Sequence, residues 1–204
     1  MRIAAPLLAI LAFTLIRANA QAASIDLERC AAPLHVCYAA VQDHDPFFTA
    51  TLLVHATESA DGGAPSHLAI VRATSNGALD RCVLRSLRSC LALPAGDDTV
   101  ELPMRFEPKL GTLSRTQIER TMRRQLQSRA ESCVHAAERR GPVKGGLILD
   151  MILREDGTVF DAMVASKTLR GERLAQCIVA AAKRLTFPAP GGPMRFDYPL
   201  AVRQ

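Results

Sequence analysis

Across residues 116–139 the apolar positions Ile118, Met122, Leu126, Cys133 and Ala137 return at helical spacing, and the run stops at Arg140-Gly141-Pro142. Apolar side chains three or four residues apart line one helical face, and glycine followed by proline ends a helix. Across 146–153 the period changes: Leu147, Leu149, Met151 and Leu153 share one face, and Ile148, Asp150, Ile152 and Arg154 share the other. A period of two predicts a strand. Glu155-Asp156-Gly157 turns the chain into a hairpin partner over 158–166. A second helix is predicted over 169–185, with Leu174, Ile178, Ala181 and Leu185 as its stripe. Pro188-Ala189-Pro190-Gly191-Gly192 ends it and leads to a last strand over 195–202.

The first half of the chain has the same order. A shorter or broken helix over 25–42, in which Pro33 is expected to begin a helix or kink it, precedes strands over 48–57 and 66–73 that flank Asp61-Gly62-Gly63. A helix over 77–91 and a strand over 99–106 complete it. In the last strands Val100, Leu102, Met104 and Phe106 match Phe196, Tyr198, Leu200 and Val202, and Pro103 matches Pro199. Proline cannot donate to a ladder, so each last strand is expected at an edge or at a bulge. Residues 107–115, with Pro108 and Gly111, are the expected linker. The predicted class is α+β: two tandem α-β-β-α-β modules, 25–106 and 116–204, each a small antiparallel three-stranded sheet with two helices on one face.

The cysteines repeat with the pattern. Cys37 and Cys82 are 45 residues apart, and Cys133 and Cys177 are 44 apart. Six cysteines admit any of fifteen connectivities. If each module joins its two helices through these positions, the pairs are Cys37–Cys82 and Cys133–Cys177. Cys30 lies seven residues before Cys37 and Cys90 eight after Cys82, about two helical turns each. Two antiparallel helices joined at 37 and 82 therefore bring Cys30 near Cys90. The matching positions of the second half hold Leu126 and Leu185. A structural zinc site would need Cys-x2-Cys spacing, which is absent.

Modules of about 80 residues have cores too small for comfort, so staples matter. The N-terminus accounts for their oxidation: Arg2, an apolar run from Ile3 to Ile16, and Ala18-Asn19-Ala20 read as a secretory signal cleaved after residue 20. Its loss takes Arg2 and Arg17 with it and lowers the net charge from +5 to +3. No transmembrane segment is expected after cleavage, and nucleic acid is an improbable partner for an exported chain. The remaining excess is concentrated in 114–140, where seven arginines face Glu119, Glu131 and Glu138. Arg115, Arg120, Arg123 and Arg124 suggest a weak contact with an anionic membrane or glycan, against the simpler reading of a solvated helical face.

Candidate chemistry is sparse. Asp43-His44-Asp45 is the densest polar cluster, but neighbouring side chains diverge and Pro46 marks a helix exit. His55 alternates with apolar residues on a strand. His135 lies beside Cys133, which pairing would silence. Asp150, Glu155, Asp156 and Asp161 read as solvated charges around a hairpin. No Gly-x-Ser-x-Gly, His-Glu-x-x-His or phosphate loop occurs. No catalytic residue, cofactor or metal ligand is assigned.

The stretch from Glu131-Ser132-Cys133 through Asp156-Gly157, Leu174-Ala175-Gln176-Cys177, Phe187-Pro188-Ala189-Pro190-Gly191-Gly192 and Tyr198-Pro199 resembles the AgmX/PglI type of C-terminal domain, within the TonB C-terminal fold. The resemblance covers about residues 114–202 and extends in divergent form over 27–106. It implies a non-catalytic protein of a Gram-negative envelope, periplasmic or associated with the outer membrane, whose modules contact other envelope proteins. In such domains the last strand accepts an extended peptide by strand addition. The candidate partner-binding strands are then those of Val100, Leu102 and Met104, and of Phe196, Tyr198 and Leu200. Pro103 and Pro199 would cost each edge a donor. The alternatives are a soluble periplasmic binder of a small ligand or glycan, and an enzyme with an unrecognised site.

Overall fold

A computed structural model of the protein describes residue 25 and residues 27–202, so the expected signal over 1–20 lies outside the described residues. The chain runs α1 (Glu28–Gln42), β1 (Ala50–Thr57), β2 (His67–Arg72), α2 (Gly77–Cys90) and β3 (Thr99–Phe106). It continues with α3 (Arg115–Thr121), a π turn (Met122–Leu126), α4 (Gln127–Glu138), β4 (Gly145–Leu153), β5 (Val159–Lys167), α5 (Glu172–Ala182) and β6 (Met194–Val202). The strands form two three-stranded antiparallel sheets, ordered β2-β1-β3 and β5-β4-β6. The class is α+β. Among the described residues no helix is long and apolar enough to cross a membrane.

Alternation decides which sheet face is covered. Leu52, Val54 and Ala56 of β1 are buried, as are Leu147, Leu149, Met151 and Leu153 of β4. The first set packs with Leu34, Cys37 and Tyr38 of α1 and Leu79, Val83 and Leu87 of α2; the second packs with Met122, Leu126, Cys133 and Ile178. Local chemistry starts the helices. The Asn76 side chain accepts from the N–H groups of Ala78 (3.0 Å) and Leu79 (3.1 Å) at the head of α2. Ser114 and Gln117 form a reciprocal capping box that begins α3 at Arg115. Each cap is worth about 1 kcal/mol.

Three disulfides tie helix to helix. Cys30 joins Cys90 and Cys37 joins Cys82, with Cα separations of 5.2 and 5.7 Å, and both link α1 to α2. Cys133 joins Cys177 across α4 and α5 at 5.9 Å. Loops of 44 to 60 residues closed in this way stabilise by about 4 kcal/mol each in the chain-entropy model. Leu126 and Leu185, where the C-terminal half lacks the extra bridge, are 1% and 2% exposed and fill the space with packing.

Three expectations need correction. Of the two expectations for the first helix, shorter or broken, the shorter holds: Pro33 lies inside α1, and Cys30 is in its first turn. A proline one turn from the start removes a single interior hydrogen bond, and the Cys30–Cys90 bridge holds that turn against α2. The helix over 116–139 is not uniformly α. Its inward residues Ile118, Met122, Leu126 and Ala130 are four apart, and each such step overshoots an α-turn by roughly 40°. The π turn, closed by a bond from the Gln127 N–H to the Met122 carbonyl, winds less per residue and returns the stripe to the core. The helix over 169–185 contracts to α5, because Gly171 at φ 105° stands outside helical geometry; Leu169 and Leu185 still pack beyond its ends. The stretch expected as a linker, 107–115, makes backbone contacts of its own. The Gly111 N–H donates to Pro193 O (3.0 Å) and the Thr112 N–H to Pro190 O (3.1 Å), and a Cβ at Gly111 would collide with the backbone of Pro190 and Gly192.

Leu126→Ala should cost 2–5 kcal/mol, the usual range of about 2–5 kcal/mol for a fully buried leucine, read by urea unfolding. Among the six cysteines Cys177 is exposed, whereas Cys30 and Cys37 are 0% and 3% exposed. Under limiting dithiol, Cys133 and Cys177 should therefore be alkylated first, as followed by peptide mass spectrometry. Earlier labelling of Cys30 or Cys37 would contradict this order.

Candidate functional site

β3 and β6 are edge strands, each paired on one side only, with β1 and β4. The Glu58 N–H donates to Asp98 O at 2.9 Å, which makes 58 and 98 a hydrogen-bonded pair. Such pairs alternate along an antiparallel ladder with pairs whose polar groups point outward. In the observed register Leu53 faces Pro103, so Pro103 falls in an outward-pointing pair. The same count holds in the other sheet. The Arg154 N–H donates to Thr158 O (2.9 Å), which turns the even-numbered residues of β4 toward β5 and leaves the Ile148–Pro199 pair unbonded on the β6 side. Neither proline removes a ladder bond. Each leaves a gap in the outer row of donors.

The residues that mark the candidate partner-binding strands turn their side chains toward the cores. Leu102 and Met104 are each 4% exposed, and Val100 is half-buried against the same cluster. Phe196, Tyr198 and Leu200 are half-buried against the second core, and Phe196 meets Phe187 edge-on at 5.6 Å. What these strands present to a partner is backbone, with the exposed side chains of Thr99, Glu101, Pro103 and Arg105 on β3.

One edge has a groove beside it. Between α1 and β3, Ala31, Leu34 and Tyr38 face Met104 and Phe106, with His35, Arg105 and Glu107 at the rim, around a volume of about 30 Å³. Arg105 and Glu107 form an ion pair. The Tyr38 hydroxyl donates to Phe48 O at 2.5 Å, and its ring lies 5.5 Å from that of Phe106. Burial, then the negative charges of Asp45 and Glu107, push the Tyr38 phenol up to about 12. The groove had no signal in the sequence, because it forms where α1 lies beside the free edge of β3, a relation no local pattern encodes.

Asp43, Asp45, His55, His135, Asp150, Asp156 and Asp161 have structural partners. Asp150 is not a solvated turn charge: it lies in the middle of β4, 5% exposed, and accepts from Arg195 Nε (2.9 Å) and Nη2 (2.5 Å). That carboxylate raises the Arg195 guanidinium above its usual range. Hydrogen bonds from Thr158 hold Asp156 low, and one from Lys183 holds Asp161 low. His55 pairs with Glu101 at 3.0 Å and His135 with Glu138 at 3.1 Å. The Phe47 N–H donates to Asp45 Oδ1 (3.1 Å) at the helix exit, and Arg154 Nη2 donates to the Asp43 carbonyl (3.2 Å). Among the described residues no group of three or more histidine, cysteine, aspartate or glutamate side chains could hold a metal ion.

The phenol supplies a test of the groove wall. The folded chain keeps the Tyr38 proton above pH 10, where an unfolded tyrosine loses it, so stability should fall as pH rises from 10 to about 12. Alkaline absorbance titration should show a late phenolate that appears with unfolding, and Tyr38→Phe should abolish it. Loss of the hydroxyl's bond should cost about 1 kcal/mol at neutral pH. In comparisons with family models, curated proteins and solved structures, the chain matches none.

Proposed function

We propose that this chain is an exported, non-catalytic protein of a Gram-negative envelope, built from two copies of one TonB-C/AgmX-like module, 25–106 and 116–204. It acts by binding extended segments of other envelope proteins, in the periplasm or at the outer membrane. The observation that carries this reading is the free edge of β3 beside an apolar groove. Strand addition draws affinity from main-chain bonds and specificity from pockets for alternate side chains. Pro103 withholds a donor at the middle of the strand, so pairing falls on its C-terminal end, where the outward backbone of Arg105 is intact. A peptide bonded there has one apolar side chain within reach of Leu34, Tyr38 and Met104. A groove of about 30 Å³ suits one side chain. Small-ligand pockets run to several hundred, about 300 Å³ or more, which favours a peptide over a small ligand or glycan.

The test separates backbone from side chain. Arg105→Pro deletes the outward N–H without breaking a bond to β1, whereas Arg105→Ala keeps the N–H and removes the side chain. Capture of envelope proteins by the chain from Gln21 should weaken about fivefold or more with Arg105→Pro and much less with Arg105→Ala, at unchanged melting temperature. Undiminished capture by Arg105→Pro would exclude the β3 edge.

A further inference from the structure

Arg120, Arg123 and Arg124 are exposed on α3 and the π turn, and none has a partner among the described residues. The carboxylates of this helical stretch are engaged elsewhere. Glu119 pairs with Arg115 (2.8 Å), Glu131 accepts from Gln127 (3.1 Å) and Glu138 pairs with His135 (3.1 Å). Other arginines nearby have local reasons to be there. Arg129 Nη1 donates to Arg184 O at 3.1 Å, and Arg139 and Arg140 follow the C-terminus of α4, where the helix dipole favours cations. Arg120, Arg123 and Arg124 lie within the helical run, where neither account applies.

The π turn sets their place on the helix surface. Met122 and Leu126 are 2% and 1% exposed in the core. Gln125 clamps the flank: its Nε2 donates to Thr186 O (2.8 Å) and its Oε1 accepts the Thr186 N–H (3.2 Å). With those residues held inward, three guanidinium groups within five positions are held outward on a convex helical surface. All three are exposed, so a single free phosphate would meet them from the solvent side only. A plane carrying many phosphates can engage all three at once, and guanidinium forks match phosphate oxygens.

We propose that Arg120, Arg123 and Arg124 form a docking face for an anionic phospholipid surface. This goes beyond peptide capture at β3 and involves none of the same residues, so either reading can fail alone. The probe is cosedimentation of the chain from Gln21, which keeps every described residue, with vesicles at low ionic strength. One set is phosphatidylcholine alone and the other is equimolar phosphatidylcholine and phosphatidylglycerol. The protein should sediment with the anionic vesicles only. R120Q/R123Q/R124Q should bind them about tenfold or more weakly, at unchanged melting temperature. R81Q/R85Q/R88Q removes the same charge from exposed positions of α2 and should bind within about threefold of the parent. Absence of sedimentation by the parent, or equal loss in the two variants, would overturn the proposal, the latter by reducing the effect to net charge.

Discussion

A three-stranded sheet is a thin platform, and everything else in this protein depends on keeping two helices seated on one face of it. Sheets this small do not hold themselves together, and a core of fewer than about 20 buried side chains leaves little margin over the entropy of ordering the chain. The bridges meet that requirement by joining helix to helix above the sheet, Cys37 to Cys82 and Cys133 to Cys177. Each therefore constrains the layer that gives the strands their buried face. The N-terminal half adds Cys30–Cys90; the C-terminal half places Leu126 and Leu185 in its core. One half is thus tied by two bridges and the other by one bridge and packing.

A platform of three strands has as many edges as central contacts, and unprotected edges invite association. Here all four are blunted. β3 and β6 carry Pro103 and Pro199 with their nitrogens toward the open side, while the ladders to β2 and β5 are interrupted by register shifts. Bulges twist an edge away from a flat partner, and proline interrupts its donors. The C-terminal end of β3 lies beside the groove of Leu34, Tyr38 and Phe106. Each proline thus breaks the run of outward donors along its edge without closing the whole of it.

The helix from Arg115 to Glu138 shows how a core requirement shapes a surface. Inward residues spaced by four demand a π turn, and the wider turn fixes which arginines project outward. Asp150 shows the reverse, a polar residue retained inside a strand because Arg195 on the neighbouring strand reaches it with two donors. A carboxylate so covered needs such a partner, since a buried charge without one is costly.

Periodicity alone identified the α+β class, the covered faces of β1 and β4 and nearly every element, because a stripe or an alternation is a direct record of what is buried. The spacing of Cys30, Cys37, Cys82 and Cys90 likewise carried the helix pairing, since seven or eight residues return to one helical face. Tertiary structure was needed wherever the deciding neighbour is distant in sequence. Asp150 looked like a hairpin charge until β6 brought Arg195 beside it. The contact of Gly111, within the linker over 107–115, with the 190–193 segment had no sign in the sequence. The groove beside β3 exists only because α1 settles at that edge. Such contacts depend on which surfaces meet, and a one-dimensional pattern records only that a surface is apolar, not what will cover it.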